Sequence, residues 1–418
     1  MAGAGAGALY EQLTILLTLA VVSHLFIKRF RQPTIIGEIF IGILVGQSVL
    51  GSLGIFQFDP DFISTLSALG AIFLLFLIGL ESDFRAIYTR KNILVALGGV
   101  LLPLVVGFVI AWYLVPPSGL GGSGTQFTMA AFVGVTLTAT SVAIAASILL
   151  DLGLMKKDVG RTIMGAAVVD DILGLLVLSV IVGMTHGGVD PVSVAILLIK
   201  AVAFIVIAIL VGIYLFNPVV LRVQAVGLKY GISHAGFLTA MAIAFFYGLI
   251  AETIGLSAII GAFLAGTLFA SAPLKDEFTE GARYLEAVFT PIFFISLGLA
   301  VNLQVVWGTP ELLLFTIVLA VVALISKVAG CAIPARLQGM SRHESLAIGW
   351  GMTPRGEVGL IVAVTALNAL VVSDALFSVM VLVIILVSVL PAPLFKRSLH
   401  AVEAERERED AAPVAEAP

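Results

Sequence analysis

Apolar residues gather in long runs separated by short polar connections. A helix needs about 20 residues to cross the hydrocarbon of a membrane. On that measure the runs predict spans near 11–27, 34–54, 62–80, 92–115, 127–150, 162–184, 191–216, 232–250, 255–272, 286–302, 312–334, 344–370 and 374–395. The expected architecture is an all-α polytopic membrane protein with thirteen transmembrane helices. Composition points the same way. Of 418 residues 60% are hydrophobic and 11% charged, against about a quarter charged in a soluble domain, which excludes a water-soluble fold. The opening MAGAGAGALYEQL has no basic segment, so the first run is read as a retained span and not as a signal peptide. After Arg397 comes a charged stretch, EAERERED, and an Ala/Pro end, and no attached soluble domain is expected. A single cysteine, Cys331, permits no internal disulfide, and no Cys/His spacing suits a bound metal.

The placement of basic residues tests the span count. Of 22 lysines and arginines, nineteen follow odd-numbered spans, from Lys28, Arg29 and Arg31 after the first to Lys396 and Arg397 after the last. The other three, Lys200, Lys327 and Arg355, fall inside spans. Cytoplasmic loops carry the excess of positive charge. The chain is therefore expected in the cell membrane with its N-terminus outside and its C-terminus cytoplasmic.

Two internal similarities share one register. IIGEIFIGIL (35–44) resembles IIGAFLAGTL (259–268), and AIFLLFLIGL (71–80) resembles PIFFISLGL (291–299). Each pair is seven spans apart, an odd number, so the second copy runs opposite to the first: an inverted-topology repeat. Small-residue patterns also recur by chance where helices pack closely, but the independently counted topology favours the repeat.

Two spans carry signals against a smooth helix. Span five holds Thr136-Leu137-Thr138-Ala139-Thr140-Ser141, whose hydroxyls can satisfy backbone groups or coordinate a cation. Span twelve holds GWGMTPRGEVG (349–359), where Pro354 and glycines including Gly356 predict a break near Met352 to Arg355. These spans are again seven apart. Paired breaks in corresponding segments point to the midplane site of a secondary transporter. Hydroxyl back-bonding within an intact helix is the alternative for span five.

Asp170 and Asp171 lie in the middle of span six. A carboxylate there costs about 2.5–3.5 kcal/mol on insertion scales, so the pair needs partners or a function. Adjacent helical positions differ by about 100°, which sets the two in different surroundings. Lys327, deep in span eleven, is the natural partner of one of them. The other is left as a carboxylate able to hold either a proton or a small cation. The alternative is an ion-pair network that only fixes helix packing, weighed most heavily for Asp170. Arg355 is read as a salt bridge or cap at the break, and Glu357 as lining the cytoplasmic approach. Glu38 and Glu81 are read as interfacial, Lys200 as snorkelling, and the histidines, among them His24, His234 and His343, as exposed.

GAAVVDDILGL, TATSVAI, SKVAG and GMTPRGEVGLIVA together resemble the monovalent cation/proton antiporter superfamily, in its NapA and Kef-like branch, over residues 10–397. The resemblance implies an NhaA/NapA-like fold: a homodimer whose core bundle holds two crossed discontinuous helices, beside a scaffold panel that mediates dimerisation. It implies Asp171 as the cation- and proton-binding carboxylate, with Asp170 paired to Lys327. Thr140 and Ser141 would lie at the unwound segment beside the ion, and Lys327 would release a proton as sodium binds. Kef-type members usually carry a Gln–Asp pair and a C-terminal nucleotide-binding domain, and neither is expected here.

The resulting expectation is a Na+ (or Li+)/H+ antiporter, electrogenic, working by alternating access. The rivals are a K+/H+ antiporter and, in another class, a gated cation channel, for which no carbonyl-ring filter motif is seen. An enzyme is not expected, because no nucleophile and base stand at a suitable spacing. Neither a resident cofactor nor a nucleic-acid partner is expected; the partners are monovalent cations, protons and the lipid bilayer. The panel is assigned to 1–91 and 190–305, the ion-binding core to 92–185 and 312–397, and a short cytoplasmic tail to 398–418.

Overall fold

The structure is a computed structural model that describes residues 6–29, 34–46, 48–51, 58–81, 89–116, 124–155, 157–187, 191–254, 256 and 258–411. It is helical. The first half holds α1 (Ala6–Lys28), α2 (Thr34–Val45), α3 (Pro60–Glu81), α4 (Arg90–Leu114), α5 (Gln126–Thr136), α6 (Val142–Asp151), α7 (Asp158–Gly187), α8 (Pro191–Val211) and α9 (Asn217–Lys229). The second holds α10 (Ala235–Thr253), α11 (Ala258–Phe269), α12 (Lys275–Ala300), α13 (Leu303–Gly308), α14 (Pro310–Leu337), α15 (Arg342–Gly351), α16 (Glu357–Asn368), α17 (Asp374–Val389) and α18 (Pro391–Ala411). Among the described residues nine helices are long and apolar enough to cross a membrane, and four shorter apolar helices accompany them.

The helices associate in two neighbourhoods. In one, α3 packs on α11 and α12, α12 on α2 and α1, and α10 on α11 and α9. In the other, α4 packs on α5, α7 and α14, while α14 packs on α15 and α17, and α15 on α18. Close helix approach in a membrane needs small residues, and the sequence supplies them at the crossings. A methyl group on Gly98 would lie 2.1 Å from the Gly330 carbonyl oxygen, so α4 and α14 touch backbone to backbone.

Several expected boundaries move. The run 34–54 predicts one long helix, but α2 stops at Val45, because Gly46 lies against Leu299 and the Ser48 hydroxyl turns to donate to the Val301 carbonyl at 2.6 Å. Span seven continues through a π-turn, Gly212–Phe216, into α9, since Pro218 has no amide hydrogen to continue the regular ladder. The charged tail forms part of α18, whose Phe395, Leu399 and Val402 are buried. Glu38, expected at an interface, is buried at 2% exposure and pairs with His24, while Glu81 makes an exposed ion pair with Arg283 at 2.8 Å.

Candidate ion site at two helix breaks

Both spans expected to break do so. Span five divides into α5 and α6 around residues 137–141, and span twelve into α15 and α16 around 352–356. The local causes differ. In the first, Thr136 and Thr138 turn their hydroxyls onto the carbonyls of Phe132 and Val135, at 2.9 and 2.8 Å, competing with the helical ladder. In the second, α15 starts from a capping box of Ser341 and Glu344 and runs into Pro354, which has no amide hydrogen.

The two interruptions lie against each other. The Ser141 amide donates to the Pro354 carbonyl at 2.7 Å, and the Thr140 hydroxyl to the Met352 carbonyl at 3.0 Å. Returning the contact, Arg355 Nη1 donates to the Ala139 carbonyl at 2.7 Å. Gly356 must be small here: a methyl group on it would sit 2.7 Å from Ser141 Cβ and Oγ. The interrupted ends thus use each other to satisfy freed backbone groups.

Two buried cations complete the set. Lys327, on α14, donates to Asp170 Oδ1 at 2.7 Å and to the Thr138 carbonyl. It is wholly buried, as is Asp170. Gly99 on α4 lies beside it and leaves room for Cys331, since a methyl group there would meet Cys331 Sγ at 2.6 Å. Arg355 is buried too, and its Nη2 reaches the Ala323 carbonyl at 3.4 Å. Lys327 and Arg355 thus both sit on carbonyls of the linker that follows α5.

Asp171 is buried at 3% exposure on α7, which packs against α5, α6, α15 and α16. One turn further along α7, Gly174 faces the Thr138 hydroxyl. Asp170 and Lys327 cancel each other's charge, while Arg355 stands on main-chain carbonyls. The Ser141 hydroxyl and Asp170 Oδ2 are buried with no hydrogen-bond partner among the described residues. The donors on offer are therefore carboxylate, hydroxyl and carbonyl oxygens, the set that suits a hard cation.

The backbone of Glu357 opens α16, and its side chain lies outside the described residues. The structure adds a residue that the sequence did not single out: Ser388 on α17, whose one hydroxyl hydrogen is shared between the Arg355 and Ile384 carbonyls. No local signal marks it, because its partners are main-chain oxygens, one of them 33 residues away.

Two spaces lie at opposite ends of α2 and α16. A cavity of about 1370 Å³ opens at the C-terminal ends of α2 and α16, with Asp61, Ser64, Ser67, Glu252, Thr365 and Asn368 in its wall. At the opposite, N-terminal ends of the same helices a separate void of about 10 Å³ lies between Ile35, Ile36 and Ile39 of α2 and Gly356, Leu360 and Ile384.

Residues 14–397 match the family model described as "Sodium/hydrogen exchanger, transmembrane". The Na(+)/H(+)-K(+) antiporter GerN of Bacillus cereus is 34% identical over 376 residues, covering 89% of this chain and 92% of GerN. A Na(+)/H(+) antiporter of Enterococcus hirae is 32% identical, over 91% of this chain and 94% of its own length. In fold, the chain superposes on the sodium proton antiporter MjNhaP1 of Methanocaldococcus jannaschii with a TM-score of 0.69 at 16% identity, covering 93% of this chain and 98% of that one. With its sequence matched over nearly all of its length and its helices arranged as in a solved antiporter, the chain belongs to the sodium/hydrogen exchanger family, within the monovalent cation/proton antiporter superfamily.

Proposed function

We propose that this protein exchanges Na+ or Li+ for H+ across the cell membrane by alternating access, with Asp171 as the shared carboxylate. The observation that carries the reading is the meeting of two helix breaks beside buried Asp170, Asp171 and Lys327, where Asp170 is paired with the lysine. Asp171 then takes a cation or a proton, one at a time, with Thr140 and Ser141 beside it. The loaded site is close to neutral and crosses readily. An empty site carries a bare carboxylate, and about 2.5–3.5 kcal/mol makes its crossing rarer by about two orders of magnitude. That difference couples the two fluxes.

Alternating access is favoured over the channel reading by the wide cavity at the C-terminal ends of α2 and α16, with isoleucines of α2 packed close to α16 and α17 at the other end. The basic-residue pattern turns the wide side outward, with the N-terminus outside and the C-terminus cytoplasmic. The inverted repeat and its thirteen crossings are supported by helix contacts that come in matched sets. Gly42 of α2 meets Gly298 of α12, and Gly266 of α11 meets Gly79 of α3. Exchanging span two with nine and three with ten turns the first contact into the second. Spans four and eleven meet at Gly98 and Gly330, and spans five and twelve meet at their crossed breaks.

In this reading 92–185 and 312–397 form the core, and 1–91 with 190–305 form the panel through which two copies pair. A cycle in which Lys327 releases a proton as sodium binds is electrogenic. Potassium in place of sodium is the second reading, favoured by the likeness to GerN, which is described as a Na(+)/H(+)-K(+) antiporter. No resident cofactor is proposed.

Purified protein in liposomes with an internal pH dye tests this. Addition of Na+ or Li+ should drive proton movement, and Asp171→Asn should abolish it. Cation flux that persists in Asp171→Asn, or that moves no protons, overturns antiport in favour of a channel, and a larger response to K+ than to Na+ selects the second reading.

A further inference from the structure

Donors from around the crossing engage main-chain carbonyls of both linkers. Lys327 serves Thr138, the Arg355 guanidinium serves Ala139, the Thr140 hydroxyl serves Met352, the Ser141 amide serves Pro354, and the Ser388 hydroxyl serves Arg355. A carbonyl held by a donor has one lone pair fewer to offer and cannot turn toward an ion. The Ser141 hydroxyl and Asp170 Oδ2, buried with no hydrogen-bond partner among the described residues, are oxygens still on offer. Few oxygens, one of them charged, suit a small ion; a larger ion with longer bonds is held by more of them.

Ser388 differs from the other donors. Lys327 and Arg355 are charged, and Thr140 and Ser141 belong to a break, whereas Ser388 is a neutral hydroxyl on α17, 6% exposed, that divides one hydrogen between the Arg355 and Ile384 carbonyls. Ile384 lies inside α17, where the helical ladder supplies its own donor. Loss of the hydroxyl therefore falls on the Arg355 carbonyl. The peptide that carries this carbonyl leads into Gly356, which packs so closely on Ser141 that a methyl group would sit 2.7 Å from its Cβ and Oγ. With no Cβ at Gly356, that peptide is able to turn once the hydroxyl is gone. Its carbonyl then becomes a further oxygen beside Ser141.

We propose that Ser388 is a positioning residue for ion selectivity: by holding the Arg355 carbonyl on α17 it keeps the site short of oxygens and so favours Na+ and Li+ over K+. This role rests on the reading above, in which the cation binds at Asp171 between the breaks. Ser388 itself touches no ion and acts through the Arg355 carbonyl. Freeing that carbonyl exchanges one hydrogen bond for one ion contact, so the shift in preference is bounded at about tenfold.

Ser388→Ala, Ser388→Cys and Ser388→Thr are to be compared with the wild type in the full chain. Binding of Na+, Li+ and K+ is read as the rise in melting temperature over a concentration series of each ion in detergent, and transport as the response of the pH dye in liposomes. The wild type should bind Na+ and Li+ more tightly than K+. Ser388→Ala and Ser388→Cys should each raise the K+:Na+ affinity ratio by about three- to tenfold. Cysteine is close to serine in bulk and only a weak donor, so it carries the measurement if the alanine variant does not fold. Ser388→Thr keeps the hydroxyl and should stay within about twofold of the wild type. A purely structural loss would weaken all three ions alike. An unchanged ratio in a folded alanine or cysteine variant, or a wild type that binds K+ as tightly as Na+, overturns the role of Ser388 and leaves antiport through Asp171 untouched. A Ser388-dependent ratio that persists in Asp171→Asn keeps the role and removes Asp171 as the cation's carboxylate.

Discussion

The Asp170–Lys327 pair allows the strongest quantitative test of the site. Lys327→Met strands the Asp170 carboxylate in a fully buried position, and breaking a buried pair by removing one partner costs about 3–5 kcal/mol. The same change deprives the Thr138 carbonyl of its donor, adding about 1–3 kcal/mol. Asp170→Asn strands the ammonium instead, but Lys327 keeps the Thr138 carbonyl and an amide oxygen in place of the carboxylate. It should therefore be the milder of the two by about 1–3 kcal/mol. The double variant removes both charges and leaves one unpaired carbonyl, so it should be more stable than Lys327→Met alone. A double-mutant cycle of unfolding in detergent measures this ordering. Additive losses, with the double variant the least stable of the three, would refute the claim that the two charges hold each other in place.

The remaining predictions concern the breaks and the charge carried. Gly356→Ala places a methyl group 2.7 Å from Ser141; it should cost about 1–3 kcal/mol and depress transport, read as a lowered melting point and a slower dye response. Arg355→Met frees the Ala139 carbonyl, with a loss of about 1–3 kcal/mol, and Arg355→Lys should recover only part of it, because one ammonium does not reproduce the guanidinium fork. Lys327→Gln should transport without moving net charge, checked by whether a potassium diffusion potential alters the rate; an undiminished response to potential removes the lysine as a proton carrier.

How much of this was legible in the sequence depended on the range of the physics. Long apolar runs encode spans directly, because a helix must satisfy its backbone within the segment. Pro354, and hydroxyls competing with the ladder at Thr136 and Thr138, marked the breaks for the same local reason. A buried lysine demands a carboxylate, which brought Lys327 and the Asp170–Asp171 pair into one argument before any geometry. What stayed hidden involved main-chain partners and distant packing. Nothing near Ser388 or Arg355 indicates that they serve the Arg355 and Ala139 carbonyls. The early end of α2 reflects the approach of Leu299 to Gly46, set by a helix some 250 residues away. Glu38 looked interfacial by its place in its run, and only the packing of α1 on α2 buries it against His24.

The two buried cations stand on neighbouring carbonyls of the same linker, yet their chemistry divides their roles. Among the described residues Arg355 donates to main-chain oxygens, those of Ala139 and Ala323, and a guanidinium stays charged under all working conditions. It is a fixed positive charge on the linker that follows α5. Lys327 also touches Asp170, and an ammonium, unlike a guanidinium, can give up its proton. If a cation arriving beside Asp170 and Asp171 supplies the positive charge that the carboxylates and the Thr138 carbonyl require, the ammonium becomes redundant there and its proton can leave. Replacing Lys327 with arginine should then preserve the fold while fixing the charge. Such a variant would bind and exchange through Asp171 alone, and a response to membrane potential equal to the wild type's would show that the lysine's proton never left.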